Sequence, residues 1–309
     1  MDQQTTISSC ISRVTLLLKE AGITTARLDS ELLTGYVLGH DRSYVIAHGD
    51  DALSDKQLLD INNLVAKRLQ RMPIAYLTGH KEFYGRDFIV THDVLIPRPE
   101  SETIIDILKV IYQERDAGRG TREDDQYQQE NAWRILDVGC GSGCLGITAK
   151  LELPQSDVTI SDIDENALHV ARQNAKTLGA DVSIVQSNLL DTVAPSSKIQ
   201  NPKSKIYFDI IIANLPYVDA SWERSPETDH EPALALFASD KGLELIKKCI
   251  QQSQGSLAKN GYLLLEADPC QHEEIIEYGK HFGFTLIEVR DYIVVLRRDG
   301  EMERPRTER

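Results

Sequence analysis

Near the N-terminus apolar positions recur at the spacing of a helix. Ile11, Val14, Leu17, Leu18 and Ala21 share one face, and Gly22 ends the segment. Leu28, Leu32, Tyr36 and Val37 repeat the pattern up to Gly39. Ser54 with Gln57 forms a capping-box pair. Leu58, Ile61, Leu64, Val65 and Leu69 then line a third face, which Pro73 ends. These spacings predict a small helical bundle with no chemical motif of its own.

The pattern changes at residue 74. Glu82-Phe83-Tyr84-Gly85 and Phe88-Ile89-Val90 flank a Gly-Arg-Asp turn, a predicted hairpin. Val94-Leu95-Ile96 adds a short apolar run, and Pro97-Arg98-Pro99 stiffens the chain. Glu100-Ser101-Glu102 opens a helix expected to run through about Tyr112, with acidic side chains that suit its N-terminus. A β/α alternation follows. Strands are expected over 133–138, 157–160, 182–186, 208–213 and 262–266, and helices over 145–150, 167–178, 243–252 and 272–282. Residues 285–289 and 293–296 form a closing hairpin. Such alternation specifies an α/β fold, a mostly parallel sheet with helices on both faces. The polar stretches 114–131 and 195–205 read as exposed insertions, and the charged tail from Arg297 as frayed.

Composition narrows the class. The chain has 309 residues, 41% hydrophobic and 27% charged, the balance of a water-soluble globular protein. No apolar run is long enough to span a membrane, and the first residues lack the pattern of a signal peptide. The expected location is therefore cytoplasmic. Cys10, Cys140, Cys144, Cys249 and Cys270 contain no C-x-x-C pair and no zinc spacing with histidine. They read as small reduced thiols, with no metal site. A net charge of −14 repels a phosphate backbone and argues against stable nucleic-acid binding.

Candidate chemistry sits after the strands. Asp137-Val138-Gly139-Cys140-Gly141-Ser142-Gly143 follows the first strand of the alternation. Glycines there permit a tight turn and close approach of a ligand, and the next helix points its amides at the same place. Gly141 to Gly146 also matches G-x-G-x-x-G, a dinucleotide signal that is weak on its own. Asp137 before the loop suits a cationic amino-acid end and would repel a pyrophosphate. Asp162 after the second strand is placed for two ribose hydroxyls. Asp164 reads as a helix N-cap, and Asn188-Leu189 would lie near an adenine. Together these tip the choice from a nicotinamide toward S-adenosylmethionine.

Asn214-Leu215-Pro216-Tyr217 follows the buried run Phe208 to Ala213. An amide-type nitrogen attacks electrophiles poorly, because its lone pair is delocalised. Two acceptors for its NH2 protons raise its electron density in the transition state. The Asn214 side-chain oxygen and the Leu215 carbonyl are the candidate acceptors. Pro216 fixes the carbonyl's direction, and Tyr217 offers a flat face. Adenine N6 and a glutamine side chain are both such planar NH2 groups.

The assembled motifs resemble the release-factor glutamine N5-methyltransferases, the PrmC/HemK family, over nearly the whole chain. Pro73 to Gly79 with Glu82 to Gly85 looks like that family's interdomain segment. Leu95-Ile96-Pro97-Arg98-Pro99-Glu100-Ser101-Glu102 is similar to its I-P-R-P-x-[ST]-E signature, and Glu231-Pro232 with Ala235-Leu236 resembles the stretch after its catalytic turn. The resemblance implies a Rossmann-like S-adenosylmethionine-dependent methyltransferase sheet with an N-terminal helical bundle and a linking β-hairpin. It divides the chain into a helical recognition domain (1–73), a hairpin linker (74–97), a methyltransferase domain (98–298) and a charged tail (299–309). It implies that Asp137, Gly139, Cys140, Gly141, Ser142, Gly143, Asp162, Asn188, Leu189 and Asn214 contact S-adenosylmethionine. Asn214, Leu215, Pro216 and Tyr217 would hold the glutamine of a release factor's Gly-Gly-Gln loop and carry catalysis. The release factor is the implied protein partner, and the implied state is a monomer.

Three positions depart from the family pattern. Leu215 replaces the first proline of Asn-Pro-Pro-Tyr, and Asn188 stands where Asp is common. Ala267-Asp268-Pro269-Cys270-Gln271 lacks the usual glycines, and the hairpin after Asp291 looks short. Asn-Leu-Pro-Tyr also occurs in enzymes that methylate adenine N6, so an N6-adenine methyltransferase is the alternative reading. A nicotinamide oxidoreductase and a binding protein without activity are two others.

Overall fold

The computed structural model describes residues 5–117, 132–193 and 207–299. The chain forms two compact units. One contains residues up to His80 together with Arg224–His230, and the other contains Lys81–Glu223 and Glu231 onward. The expected insertion at 195–205, most of that at 114–131 and the tail beyond 299 lie outside the described residues. No described helix is long and apolar enough to cross a membrane.

The helical unit holds α1 (Ile7–Glu20), α2 (Ala26–Leu38), α3 (Arg42–Ala47), α4 (Asp55–Leu69) and α5 (Ile74–Thr78). Ser54 and Gln57 form the expected reciprocal cap of α4. Ile11, Val14, Leu18, Ile61 and Val65 meet in its core. The expected apolar face of α2 is the wrong one. Leu28, Leu32 and Tyr36 are 41%, 36% and 51% exposed, as is Leu17 on α1 (38%) and Leu69 on α4 (38%). α2 instead buries Asp29, Ser30, Leu33 and Thr34. The reason lies on another helix. Arg68 of α4 is itself buried and donates through Nε to Asp29 at 2.8 Å. Its Nη1 reaches Glu227 at 2.9 Å, and Ser30 caps the carbonyl of Ala26 at 2.6 Å. A polar helical face turns into the core because Asp29 and Ser30 find partners there, while the Thr34 hydroxyl is buried without one.

The larger unit is built on a seven-stranded sheet. Its strands are β3 (Arg134–Val138), β4 (Asp157–Asp162), β5 (Ser183–Gln186), β6 (Phe208–Ala213), β7 (Leu257–Glu266), β8 (Phe284–Arg290) and β9 (Ile293–Arg298), in the order β5-β4-β3-β6-β7-β9-β8. β3 to β7 pair in parallel, and β9 runs antiparallel to both β7 and β8. β9 extends to Arg298, so Arg297 is a strand residue paired with Tyr262 and Thr285, where a frayed tail was expected. Alternate strand residues point to opposite faces. Ile135, Ile210, Ile212 and Leu264 pack with α6 (Glu102–Ala117), α7 (Cys144–Glu152) and α8 (Glu165–Leu178). Leu136, Ile211, Leu263 and Leu265 pack with α10 (Glu244–Ser256) and α11 (His272–His281), which follow the short α9 (Ala233–Leu236). α6 runs five residues past its expected end.

The hairpin of β1 (His80–Phe83) and β2 (Arg86–Ile89) turns at Tyr84-Gly85, both at positive φ, one residue before the expected turn. Its second strand is held by Asn174 of α8, whose amide accepts from Ile89 N at 2.7 Å and donates to Ile89 O at 2.9 Å. The same Nδ2 donates to Ser142 O at 2.9 Å.

Removing Arg68 would strand the Asp29 carboxylate in the helical core. Arg68→Ala is expected to destabilise the protein by roughly 3 kcal/mol, while Leu32→Ser on the exposed face changes stability by less than about 0.5 kcal/mol. Urea unfolding followed by the helical circular-dichroism signal would measure both.

Candidate active site

The C-terminal ends of β3, β4, β5 and β6 line one cavity. Gly139 to Ser142 follow β3. Asp162, Ile163 and Asp164 end and follow β4, Ser187 to Leu189 follow β5, and Asn214 to Pro216 follow β6. The facing wall comes from Asp93 to Leu95, Pro97, Arg98 and Ser101, with Pro232, Leu234, Ala235 and Leu245 closing the side. Ligands in open α/β sheets bind at this edge, where the chain leaves neighbouring strands toward opposite faces.

Two glycines of the loop after β3 are fixed by their neighbours. Gly139 has φ +71°, and an added Cβ would lie 2.9 Å from Leu215 Cδ2. At Gly146 an added Cβ would meet Ile160 Cγ2 at 2.3 Å and Asp137 Oδ2 at 3.0 Å. α7 therefore packs directly on the strands, and its first residues, Cys144 and Leu145, line the cavity. The Gly146 N–H donates to Asp137 Oδ2 at 2.8 Å, while Asp137 Oδ1 is buried without a partner. Burial pushes Asp137 up to about 7, against the pull of the Gly146 amide. Asp137 thus lies beneath the loop and is not part of the cavity wall.

Asp162 is in the wall. Its Oδ2 accepts from Gly141 N and its Oδ1 from Asp164 N, both at 2.9 Å. Burial raises it above the usual carboxylate range, against those two amides. Each oxygen keeps a further acceptor site. Asp164 caps α8 by accepting from Asn166 N at 2.9 Å, the role its position suggested. Cys140 and Cys144 both line the cavity, and burial pushes the Cys144 thiol up to about 12, so it stays protonated at neutral pH.

The turn after β6 is held from several sides. Leu215, which stands where the family has proline, is 3% exposed and packs in the core. Asn214 Nδ2 donates to Ser101 Oγ at 3.0 Å, and Ser101 Oγ donates to Glu266 Oε2 at 2.6 Å. Tyr217 Oη lies 3.4 Å from Glu266 Oε1. Tyr217 is directed at this carboxylate and is not in the cavity wall, where its ring was expected. Burial and the neighbouring carboxylate both raise its phenol well above the usual value. Gln271 Nε2 donates to the Tyr217 carbonyl at 2.9 Å and to Lys241 O at 2.8 Å. The atypical stretch Ala267 to Gln271 is therefore a capped turn, with Asp268 accepting from Cys270 N, that steadies the end of Asn214–Tyr217.

Three residues were given no role in the site by sequence reasoning. Ser101 was read as part of a helix start and of a family signature, Glu231 as part of a family stretch, and Glu266 as the end of a strand. A carboxylate closing the run Leu263-Leu264-Leu265 was the available signal for Glu266. Glu231 is the third. It is 8% exposed, pairs with Arg98 at 2.6 Å and accepts from Ile96 N at 3.2 Å, which fixes the segment forming the facing wall.

Comparison with known proteins gives this geometry a family. Residues 9–79 match the PrmC N-terminal domain, and residues 125–226 match the methyltransferase small domain. The chain is 35% identical to the release factor glutamine methyltransferase of Koribacter versatilis, over 83% of this chain and 85% of that one. It is 33% identical to the release factor glutamine methyltransferase of Neisseria gonorrhoeae, over 85% and 88%. This chain belongs to the release factor glutamine methyltransferase family. It is also 30% identical to the bifunctional methyltransferase of Rickettsia felis, where 92% of this chain spans only 55% of the relative. The protein is an S-adenosylmethionine-dependent methyltransferase with a Rossmann-like sheet. Its cavity fits that donor. Asp162 retains acceptor capacity inside the wall, and an added Cβ at Gly141 meets nothing within 4 Å, so the loop backbone lies open.

Asp162→Ala removes the acidic acceptor of that wall. It is expected to weaken S-adenosylmethionine binding tenfold or more, equivalent to about 1.4 kcal/mol or above. Isothermal titration calorimetry would measure it, and unchanged affinity would remove Asp162 from the site.

Proposed function

We propose that this protein methylates the side-chain amide nitrogen (N5) of the glutamine in the Gly-Gly-Gln loop of peptide-chain release factors. It does so as a monomer in the cytosol, without stable binding of nucleic acid. The observation that carries this reading is the orientation of Asn214 in the cavity wall. Its NH2 end is turned to Ser101, which leaves Oδ1 as a preset acceptor beside Leu215 and Pro216. A planar NH2 group presented there meets an amide oxygen from Asn214 and the backbone carbonyl of Leu215. The relatives named as release factor glutamine methyltransferases make a glutamine the acceptor of choice.

S-adenosylmethionine supplies the methyl group as an electrophile on a sulfonium sulfur. Asp162, Asn188 and Leu189 would hold its adenosine end, and Gly139, Cys140, Gly141, Ser142 and Gly143 would shape the backbone cradle beside it. Asp137 acts from beneath the loop by fixing the α7 amide of Gly146. Asn214 and Leu215 accept the two amide hydrogens of the glutamine, which favours a pyramidal, electron-rich nitrogen. The nitrogen so held would take the methyl group that the bound donor supplies, and its proton would then leave the now acidic nitrogen for solvent. No strong base is required, and positioning supplies most of the rate. Pro216 fixes the direction of the Leu215 carbonyl, and Tyr217 anchors the end of the turn through its contact with Glu266. The helical unit serves recognition of the release factor.

The decisive experiment incubates the protein with methyl-labelled S-adenosylmethionine and a purified release factor. Label is expected in the intact factor and absent when the loop glutamine is replaced by alanine. Equal labelling of both factors, or label entering RNA while the factor stays unlabelled, would overturn the reading. Asn214→Ala is expected to lower kcat by about 100- to 1000-fold, the usual cost of losing an electrostatic acceptor or donor at the reacting group.

A further inference from the structure

Asn214 can serve as an acceptor only if its amide is turned the right way round. The two ends of a carboxamide have nearly the same shape, so sterics alone do not choose between them. In this structure the choice is made by a chain of hydrogen bonds. Asn214 Nδ2 meets Ser101 Oγ at 3.0 Å, and Ser101 Oγ meets Glu266 Oε2 at 2.6 Å. Ser101 and Glu266 are both 1% exposed, so water does not compete for these bonds.

We propose that Ser101 and Glu266 are positioning residues that fix the orientation of the Asn214 amide, with the Glu266 carboxylate setting the direction of the chain. An ionised carboxylate only accepts. The single hydrogen of the Ser101 hydroxyl must then go to Glu266, and the Ser101 oxygen is left to accept from Asn214. Only the NH2 end of the amide satisfies it, so Oδ1 faces the acceptor nitrogen. A protonated Glu266 can donate to Ser101 instead. The hydroxyl then donates toward Asn214, Oδ1 rotates to meet it, and the NH2 end confronts the NH2 of the substrate. The assignment rests on the reading of Asn214 as the group that holds the acceptor.

The surroundings make this switch accessible near neutrality. Burial pushes Glu266 up to about 7, offset by donors from Ser101, Tyr217 and Asn214, while Glu100 adds a second negative charge. Tyr217 and Cys144 face the same carboxylate, and both stay protonated in this range. Arg98 and Tyr292 act electrostatically on the Tyr217 phenol, and His272 bonds the neighbouring carbonyl of Ala267.

The test compares kcat and KM of wild type, Ser101→Ala, Ser101→Thr and Glu266→Gln from pH 6 to 9 at saturating S-adenosylmethionine, with a release factor as acceptor. Donor affinity by calorimetry serves as the control for folding. Saturation removes any effect of Asp137, which titrates in the same range beneath the donor loop. Ser101→Ala is expected to lower kcat by about 10- to 100-fold with donor affinity unchanged, and Ser101→Thr to recover most of the loss, because the hydroxyl returns. Wild-type kcat should fall as pH drops through about 7, where Glu266 takes up its proton. Glu266→Gln should have lower kcat without that dependence. A Ser101→Ala enzyme with wild-type kcat would overturn the proposal. So would Ser101→Thr no better than alanine, or Glu266→Gln with the wild-type pH profile. Failure of the underlying reading looks different, as wild type would leave the release factor unlabelled or Asn214→Ala would retain full activity.

Discussion

The structure depends on one topological constraint: β3 and β6 are adjacent and parallel, but the chain leaves them toward opposite faces of the sheet. After β3 it enters α7, which packs with Ile135 and Ile210. After β6 it goes on to α10, on the face of Leu136 and Ile211. Where the two exits diverge, backbone must open, and a crevice is left with both loops on its rim. The glycine loop and the Asn214 turn belong to those two exits. They touch directly, since an added Cβ at Gly139 would lie 2.9 Å from Leu215 Cδ2. The two loops are thus brought together by strand order.

Around this crevice two carboxylates near strand ends are buried, Asp137 and Glu266, and a third, Asp162, is half-buried. Asp137, Asp162 and Glu266 each resist ionisation because of burial, and each is partly offset by donors aimed at it. The donors differ in kind. Asp137 and Asp162 take backbone amides from the loop and from helix starts, which hold the donor side rigid. Glu266 takes side-chain hydroxyls, Ser101 and Tyr217, which can turn around. Backbone amides cannot reverse direction, whereas hydroxyls can. The acceptor side of the crevice is consequently the one whose hydrogen-bond direction depends on charge. Glu231, also buried, performs a static task by tying Arg98 and Ile96 in the facing wall.

The departures from the family pattern acquire physical content in this frame. Leu215 fills space against Gly139 while its carbonyl remains in the turn. The stretch Ala267 to Gln271 lacks glycines because it is a capped turn at which Gln271 grips the carbonyls of Tyr217 and Lys241. Gly242 gives the close backbone approach there instead, since an added Cβ would lie 1.9 Å from Tyr217 O.

Local pattern in the sequence carried no signal for the short helices α3, α5 and α9, but it was enough for the β/α alternation, the strand Phe208–Ala213 to the residue, the capping box of α4 and the strand-end loops that line the cavity. Those features are local, arising from hydrophobic period, capping chemistry and the residue types demanded by strand ends. Tertiary structure decided what depends on partners far along the chain. The buried face of α2 is polar because Arg68, on another helix, meets Asp29 there, and no period within α2 could announce it. Ser101 and Glu266 lie 165 positions apart, yet they share one short hydrogen bond and together turn the Asn214 amide. A side chain's direction in a buried network is set by which groups surround it and whether they are charged, and only the folded chain brings those groups into reach.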